Sequence, residues 1–495
     1  MKLPEKPEIT LDPQDWSRLR DLGHRMIDDV FRYLETVRDR EVWKPIPSQV
    51  RDELDSGRPL EPRDPEQVYA DFQRLILPYP TGNIHPRFWG WVIGSGTPFG
   101  MLAQLLEGVM NCNVFGADQV AVEVERQVIG WFKEAMGYLP EASGILTTGG
   151  SASNLVGLTV ARNAKAEADI AAEGIQSLPR RMVLYASAET HSSVRKSVEL
   201  LGLGSHALRM IPVDADFRIR IELLREAIRQ DREAGLLPFC VVGNAGTVNT
   251  GAFDPLEELA DLCRDEDLWL HVDGALGGFA VLSDRLKPLV RGIERADSLA
   301  LDLHKWLHVQ YDAGCVLIRR PHDHHAAYTR PASYLNRAQR GLSGGPLWFN
   351  EYGFELSRGF RALRIWMALQ EHGFRRYGEL VEQNVRQAAY LAGLVADSEN
   401  LELLAPVPLN VVCFRHTVPG WDEPALAAFN QALLADLQEN GVAAPSSTVL
   451  NGRFALRVAI CNHRSRFEDF VLLVKEVLRL GRERILEAQP AGAAH

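Results

Sequence analysis

The sequence has few cysteines, and none of them lies in a recognisable pattern. Its six cysteines include no Cys-x-x-Cys pair and no group with the spacing of metal ligands. Isolated cysteines of this kind are typical of small buried side chains in a reducing compartment. The sequence therefore predicts neither a disulfide framework nor a metal site.

Long apolar runs are also missing, because the longest candidates are interrupted by glycine, proline or charged residues. The first residues, MKLPEKPEITLDPQDW, contain no apolar segment of the kind that secretory leaders carry. We therefore expect no membrane partner and a cytoplasmic location.

Positive charge is in deficit, since the formal net charge is −11. This balance argues against nucleic acid as a partner. The hydrophobic fraction of 46% and the charged fraction of 24% are those of an ordinary globular protein. Because 495 residues exceed what one hydrophobic core usually supports, two or three domains are expected.

The chain divides into three parts by its sequence texture. Residues 1–90 are predicted to form a helical arm, with apolar positions at helical spacing followed by a stretch rich in proline and charge, and such an arm suggests a partner subunit. In residues 91–375 short apolar runs alternate with helices, which indicates an α/β domain with a mostly parallel sheet covered on both faces. Residues 376–495 are predicted to form a small α+β domain.

Ligands of such sheets bind beyond the carboxyl ends of the strands, and polar motifs follow several of the predicted strands. In TTGGSASN a glycine pair opens a helix, so that Ser151, Ala152 and Ser153 offer N–H groups and hydroxyls at its positive end. This arrangement suits a phosphate group, although an ordinary helix cap is the alternative. A dinucleotide site is disfavoured because the Gly-x-Gly-x-x-Gly pattern is absent.

Three further side chains stand at the ends of apolar runs or at helix starts. Asp273 ends LWLHVD among small residues, where a carboxylate has to be solvated, paired or functional. His191 begins a helix and could cap it, lie in the core or stack on a planar ligand. Lys305 ends SLALDLHK, although lysine is among the residues least often buried and a surface position is the alternative.

Taken together, these features predict a pyridoxal 5′-phosphate (PLP) site. PLP needs a phosphate cradle, a carboxylate for its ring nitrogen, a group that stacks on the ring and a lysine that forms a Schiff base. Each feature has an ordinary structural explanation when it is considered alone, but their joint occurrence in one α/β region favours the cofactor.

At this point the sequence resembles the group II pyridoxal-phosphate decarboxylases, in particular the aromatic L-amino acid decarboxylase branch. The motifs that carry the resemblance occur in family order and cover roughly residues 15 to 470: HPRFWGWV, GGSASNLVGL, ETHSSVRKS, GTVNTGAFDPLEELADLC, LWLHVDGALGG, DLHKWL and SRGFRALRIWMAL. The resemblance implies a fold-type I homodimer with shared active sites and an N-terminal arm wrapped around the partner.

The family's roles transfer to individual residues of this chain. The resemblance implies that Lys305 binds the cofactor covalently, that Asp273 pairs with the ring nitrogen and that His191 stacks on the ring. Further cofactor contacts are implied for the following residues: Ser151, Ala152, Ser153, Thr247, Ala275 and His304.

A mobile loop of the family carries a tyrosine that acts in the partner's active site, and it corresponds to Tyr334 in RPASYLNRAQRGLSGG. Without the resemblance, a packing tyrosine at a loop start remains the alternative. The substrate pocket is expected to include Trp91, Val92 and Phe115.

The chain departs from the family pattern at three places. Asp302 replaces an asparagine that contacts the cofactor phosphate, Val248 replaces a threonine, and Val92 and Ile93 replace pocket residues. An anion at position 302 would repel a phosphate unless it is protonated or turned away, so the role of Asp302 stays open.

The resemblance implies decarboxylation of an L-amino acid, aromatic by its pocket, to an amine and CO₂. The alternatives are oxygen-dependent conversion to an aldehyde, a non-aromatic substrate, and an idle PLP-binding protein. In the family, aldehyde formation accompanies loss of the loop tyrosine's hydroxyl, and Tyr334 is present. The full set of Lys305, Asp273, His191 and Tyr334 argues against an idle protein.

Overall fold

The protein's structure, a computed structural model, describes residues 9–330, 333–335 and 337–488. The helices are α1 (Trp16–Glu35), α2 (Ser48–Leu54), α3 (Pro65–Asp71), α4 (Pro98–Met110), α5 (Val120–Ala135), α6 (Gly150–Lys165), α7 (Ile170–Glu173), α8 (Ser192–Leu200), α9 (Ile221–Glu233), α10 (Leu256–Asp265), α11 (Leu303–Trp306), α12 (Pro321–Tyr328), α13 (Arg361–Ala396), α14 (Glu423–Glu439) and α15 (Phe467–Ala488). The strands are β1 (Phe88–Trp89), β2 (Ser143–Thr147), β3 (Met182–Ser187), β4 (Leu208–Ile211), β5 (Leu237–Asn244), β6 (Trp269–Asp273), β7 (Ser298–Asp302), β8 (Gly314–Ile318), β9 (Leu401–Leu403), β10 (Val411–His416), β11 (Ala444–Leu450) and β12 (Arg453–Ala459).

Seven strands of the described chain form a large sheet in the order β2-β8-β7-β6-β5-β3-β4. The strands from β3 to β7 run parallel, whereas β8 is antiparallel to both β2 and β7. Every residue of β6 and β7 is buried, which requires helices on both faces of the sheet. The prediction of a mostly parallel α/β sheet is confirmed.

The carboxyl ends of three neighbouring strands converge at one edge of this sheet. β5 ends at Asn244, β6 at Asp273 and β7 at Asp302, and the register pairs Asn244 directly with Asp273. Helix α6 packs across β5 to β8, and its first turn begins at Gly150, directly after the short β2–α6 turn. The fold thus brings the start of a helix to a cluster of polar strand ends.

A second sheet of the described residues has the order β1-β11-β12-β10-β9. β1 lies early in the sequence, yet it pairs in parallel with β11, Phe88 opposite Ala444. Helix α13 runs past residue 375 with an interruption at Gly373, whose φ is 69°. The division at residues 90 and 375 stays a prediction.

None of the described helices combines the length and the apolar character that crossing a bilayer requires.

A buried ion pair joins the large sheet to the segment that precedes α13. The guanidinium of Arg358 donates to Glu125 of α5 at 2.5 Å, and both side chains are about 1% exposed. Arg358 also donates to the carbonyl of Leu146, while Glu125 accepts from the N–H of the same residue. The pair therefore fixes β2 against two other segments.

We predict that Glu125→Leu lowers the free energy of unfolding by about 3 to 5 kcal/mol, because it leaves a buried guanidinium without its carboxylate. Thermal unfolding of the purified protein measures the loss. The double variant Glu125→Leu/Arg358→Met should lose less than Glu125→Leu alone, and Glu123→Leu, exposed on the same helix, should be near neutral. If Glu125→Leu alone loses no more stability than the double variant, the unpaired guanidinium does not have the expected cost.

Candidate active site

A cavity of about 240 Å³ opens at the converging strand ends. Seven of the residues singled out from the sequence line it together: Trp91, Val92, Ser151, His191, Asp273, Ala275 and Lys305. They come from five separate segments of the chain, so the fold alone assembles them.

Asp273 lies at the base of this cavity and is 7% exposed. Its Oδ1 accepts a hydrogen bond from the N–H of Ala275 at 3.1 Å, and its Oδ2 accepts from Nδ2 of Asn154 at 2.9 Å. Both donors are neutral, so neither cancels the carboxylate's charge. That charge remains available to a cation in the cavity.

Asn154 belongs to a directional chain of hydrogen bonds beneath the cavity. Its Oδ1 lies 2.9 Å from Nε2 of His271, and Nδ1 of His271 lies 2.7 Å from the hydroxyl of Ser298. Burial lowers the pKa of His271 to about 4, so the ring is neutral and donates through Nε2. Trp269 donates in turn to Ser298 at 2.8 Å. This chain fixes which end of the Asn154 amide faces Asp273.

His191 stands at the mouth of the cavity as the N-cap residue of α8. Its Nδ1 accepts from the N–H of Ser193 at 3.2 Å and lies 2.7 Å from that residue's hydroxyl. The hydroxyl itself accepts from Asn154, so it donates to His191. The ring remains open to solvent, but partial desolvation lowers its pKa, against the opposing effect of Asp273. The result is a neutral imidazole with a fixed orientation.

The turn before α6 approaches its surroundings too closely for side chains. A Cβ on Gly149, whose φ is 152°, would lie 2.9 Å from Cε1 of His304, and a Cβ on Gly150 would lie 3.1 Å from both Ala275 and Asp302. The first N–H groups of a helix have no partner within the helix. This turn can therefore present bare backbone donors to an anion, as the sequence predicts.

Lys305 follows β7 on the short helix α11, and its side chain is 22% exposed. Its Nζ lies 3.1 Å from Oδ2 of Asp302, and Nε2 of His304 lies 2.9 Å from Oδ1 of the same carboxylate. Burial would raise the pKa of Asp302, but Lys305 and His304 outweigh burial and hold that pKa below its usual value. Asp302 is thus an anion paired with Lys305 in the cavity and with His304 beside it.

Other residues singled out from the sequence do not line this cavity. The hydroxyl of Ser153 lies 2.7 Å from that of Thr147, and the hydroxyl of Thr247 contacts Thr250 within its own turn at 3.0 Å. Ala152 lies in the first turn of α6, and the ring of His304 contacts that of Tyr311, with the two ring centroids 4.1 Å apart.

Phe115 packs edge-on against Trp348 and does not line the cavity of its own chain. The side chain of Tyr334 lies outside the described part of the structure. The roles assigned to both residues stay predictions.

Besides Asn154, two further residues that shape the cavity were not predicted from the sequence. Asn244 at the end of β5 is held by the buried carboxylate of Asp254, whose pKa burial raises to about 6. Arg457 on β12 is 4% exposed, and it donates to the carbonyls of Trp91, Val248 and Asn249. The Gly-Asn end of β5 offered a weak signal, but nothing in the local sequence connects β12 with the cavity.

We predict that Asn154→Ala weakens cofactor retention and lowers kcat by about 10- to 100-fold, as loss of an orienting partner commonly does. Asn163→Ala on the same helix is the matched control and should change neither quantity. Visible absorbance after dialysis measures the retained cofactor, and product formation measures kcat. Wild-type values for Asn154→Ala would show that Asp273 and His191 hold their positions without the amide.

Comparisons with known proteins point in one direction. Residues 47–417 match the family model described as the pyridoxal-dependent decarboxylase conserved domain. The chain is 33% identical over 470 residues to an aromatic-L-amino-acid decarboxylase of Bacillus atrophaeus, covering 94% of this chain and 96% of the relative. It is 31% identical to a histidine decarboxylase of Drosophila melanogaster over 92% of this chain and 54% of that protein.

Solved structures share the fold. The structure of Oryza sativa TDC with PLP and tryptamine matches with a TM-score of 0.88 and 24% identity, over 96% of this chain and all of that one. Rhodiola rosea 4-hydroxyphenylacetaldehyde synthase matches with a TM-score of 0.85 and 24% identity, over 95% of this chain and 99% of that one.

Proposed function

This chain belongs to the pyridoxal-dependent decarboxylase family and is a PLP-dependent amino acid decarboxylase, and we propose that it converts aromatic L-amino acids to the amine and CO₂. The observation that carries the proposal is the convergence of Lys305, Asp273 and His191 on one cavity whose wall includes the indole of Trp91.

The residues present fit PLP. The bare turn at Gly149 and Gly150, with Ser151, would hold the phosphate at the start of α6, and Lys305 would hold the cofactor covalently. When bound, PLP supplies a cationic ring that accepts the electrons left behind by CO₂.

Asp273 would hold the proton on the ring nitrogen, because a buried carboxylate favours the charged form of a basic neighbour. His191 would lie against the ring, since its neutral imidazole is fixed at the cavity mouth by Ser193. Ala275 offers the small side chain that a flat ring needs on its other side.

Asp302 departs from the family's asparagine, and its contacts suggest a different use. Its carboxylate lies 3.1 Å from Nζ of Lys305, so it attracts the lysine ammonium whenever that amine is free. The carboxylate also borders the proposed phosphate cradle, beside Gly150. Its pairing with His304 and, while the amine is free, with Lys305 would offset its repulsion of the incoming phosphate.

An aromatic substrate suits the remaining cavity wall. Trp91, Val92, Val248 and Leu276 supply apolar surface, and a half-exposed indole can stack on an aromatic ring. Trp91 has a φ of 52°, which is unusual for a bulky residue, and Arg457 holds its carbonyl. The wall is therefore fixed where the substrate side chain would lie.

We further propose a homodimer with shared active sites. Helix α4 leaves Leu105, Leu106, Val109 and Met110 between 46% and 79% exposed, an apolar surface that a partner would cover. All six cysteines are unpaired, which suits the cytoplasmic location expected from the sequence.

The central experiment follows amine formation by mass spectrometry across the twenty amino acids, 3,4-dihydroxyphenylalanine and 5-hydroxytryptophan. Wild type should release amine and CO₂ from aromatic substrates, while Lys305→Ala should lose turnover by orders of magnitude because it cannot bind the cofactor covalently. Borohydride reduction should fix the cofactor on Lys305, and exposed Lys196→Ala is the control. Amine from non-aromatic substrates alone would refute the substrate assignment, and a cofactor fixed on another lysine would refute the site.

A second prediction separates amine from aldehyde formation. If the hydroxyl of Tyr334 donates the proton that completes the amine, Tyr334→Phe should retain CO₂ release but shift the product toward aldehyde, with uptake of O₂ and release of ammonia and hydrogen peroxide. Amine, aldehyde and oxygen are measured on one aromatic substrate. Aldehyde as the main product of wild type would favour the oxygen-dependent alternative.

Mixing the two variants tests the shared site. A dimer of one Lys305→Ala chain and one Tyr334→Phe chain contains one site with both native residues only if Tyr334 acts across the interface. Co-refolded or co-expressed mixtures should therefore regain amine formation that neither variant has alone. No gain in verified mixed dimers would place Tyr334 in its own chain's site.

A further inference from the structure

A second cavity, of about 620 Å³, lies between the start of α4 and the second half of α13. Eight side chains with hydrogen-bond donors line it: Thr97, His308, His372, Arg376, Tyr377, Gln383, Arg386 and His463. We refer to it as the His–Arg cavity. Glu379 is the carboxylate on its wall among the described residues.

In the part of the chain that the structure describes, the two arginines that line the His–Arg cavity have no ion pairs, although Nε2 of His372 lies 3.2 Å from Oε2 of Glu371. Within the described structure, neither Arg376 nor Arg386 lies within ion-pair distance of a carboxylate. Arg464, adjacent in sequence to the wall residue His463, has only a carbonyl contact, to Ser95 at 3.4 Å. A neighbourhood with three such guanidinium groups favours an anionic occupant.

His308 points to a ligand independently of this charge. It is 1% exposed, and its Nδ1 accepts from the N–H of Ser95 at 3.4 Å, so Nε2 carries the hydrogen. This buried Nε2–H has no acceptor within the described chain. His308 also adopts a φ of 52°, a costly conformation for a residue of this size.

Tyr377 on α13 is a second buried donor without an acceptor in the described part of the chain. The residue is 2% exposed, and its hydroxyl, on the wall of the same cavity, also lacks a partner among the described residues. A buried donor without an acceptor is destabilising, so two of them in one cavity indicate acceptor atoms that the chain does not supply.

We propose that the His–Arg cavity binds a phosphate-class oxyanion, either free phosphate or a small phosphate monoester. The Nε2–H of His308 and the hydroxyl of Tyr377 would donate to its oxygens, and Arg376 and Arg386 would balance its charge. The site is distinct from the cofactor cradle, which lies at the start of α6. It lies directly behind the proposed cofactor lysine, because the N–H of His308 donates to the carbonyl of Lys305 at 3.4 Å.

The test uses the PLP-loaded enzyme, so that the cofactor already fills its own phosphate cradle. Thermal unfolding is followed while inorganic phosphate or glycerol phosphate is added, with sodium chloride at matched ionic strength as the reference. A ligand that binds only the folded state raises Tm in a saturable manner. We expect saturation with at least one phosphate compound and none with chloride. A monoester that binds more tightly than phosphate would identify the monoester as the occupant class.

Matched variants locate the effect. Arg376→Gln/Arg386→Gln should weaken the apparent affinity about tenfold or more, whereas Arg375→Gln, an exposed neighbour that does not line the cavity, should leave it unchanged. Equal loss in Arg375→Gln, or the same Tm increase with chloride, would overturn the proposal because either result indicates general charge screening.

Tyr377→Phe separates a binding role from a structural one. Because the hydroxyl has no partner in the described chain, its removal should leave the Tm of the phosphate-free enzyme unchanged or raise it, yet reduce the increase caused by phosphate. If phosphate raises the Tm of Tyr377→Phe as much as it raises that of wild type, Tyr377 does not contact the anion. If the same holds for His308→Phe, the anion does not bind in this cavity.

Discussion

The carboxylate of Asp273 is buried at the end of β6 with two neutral donors, and the geometry of the active site depends on that choice of partners. A cationic partner would neutralise the charge that, in the proposed function, holds the proton on the cofactor's ring nitrogen. Asn154 supplies a hydrogen bond without charge, and His271 and Ser298 fix the direction of its amide. Buried polar groups of this kind are stable only when each donor meets an acceptor. The hydrogen-bond network meets that condition from Ser298 through His271, Asn154 and Ser193 to His191.

Much of the site could be predicted because parallel strands end at one edge of a sheet. Lys305 and Asp273 lie at the ends of buried runs that are visible in the sequence. Ser151 and His191 lie at the starts of α6 and α8, the helices that follow β2 and β3. Short local patterns therefore placed the main chemical groups together without any knowledge of side-chain direction.

The other features of the site could not be predicted, because they depend on contacts that local sequence does not encode. Ser153 and Thr247 have the expected chemistry, but their hydroxyls bond within their own turns, which is a common use of short polar side chains. Arg457 reaches the cavity from a strand more than 350 residues after Trp91, whose carbonyl it holds. Asp302 was recognised as unusual, but only its distances to Lys305 and His304 reveal what it contacts.

The pairing of β1 with β11 has a mechanical consequence. Trp91 and Val92 follow β1 directly, so this part of the substrate wall is attached to the small sheet, and Arg457 of β12 attaches it a second time. Lys305 and Asp273 are attached to the large sheet instead. A rigid-body shift between the two sheets would therefore change the distance from Trp91 and Val92 to Lys305 and Asp273. In the proposed function, one such movement would alter both the fit of the substrate side chain and the placement of the catalytic groups.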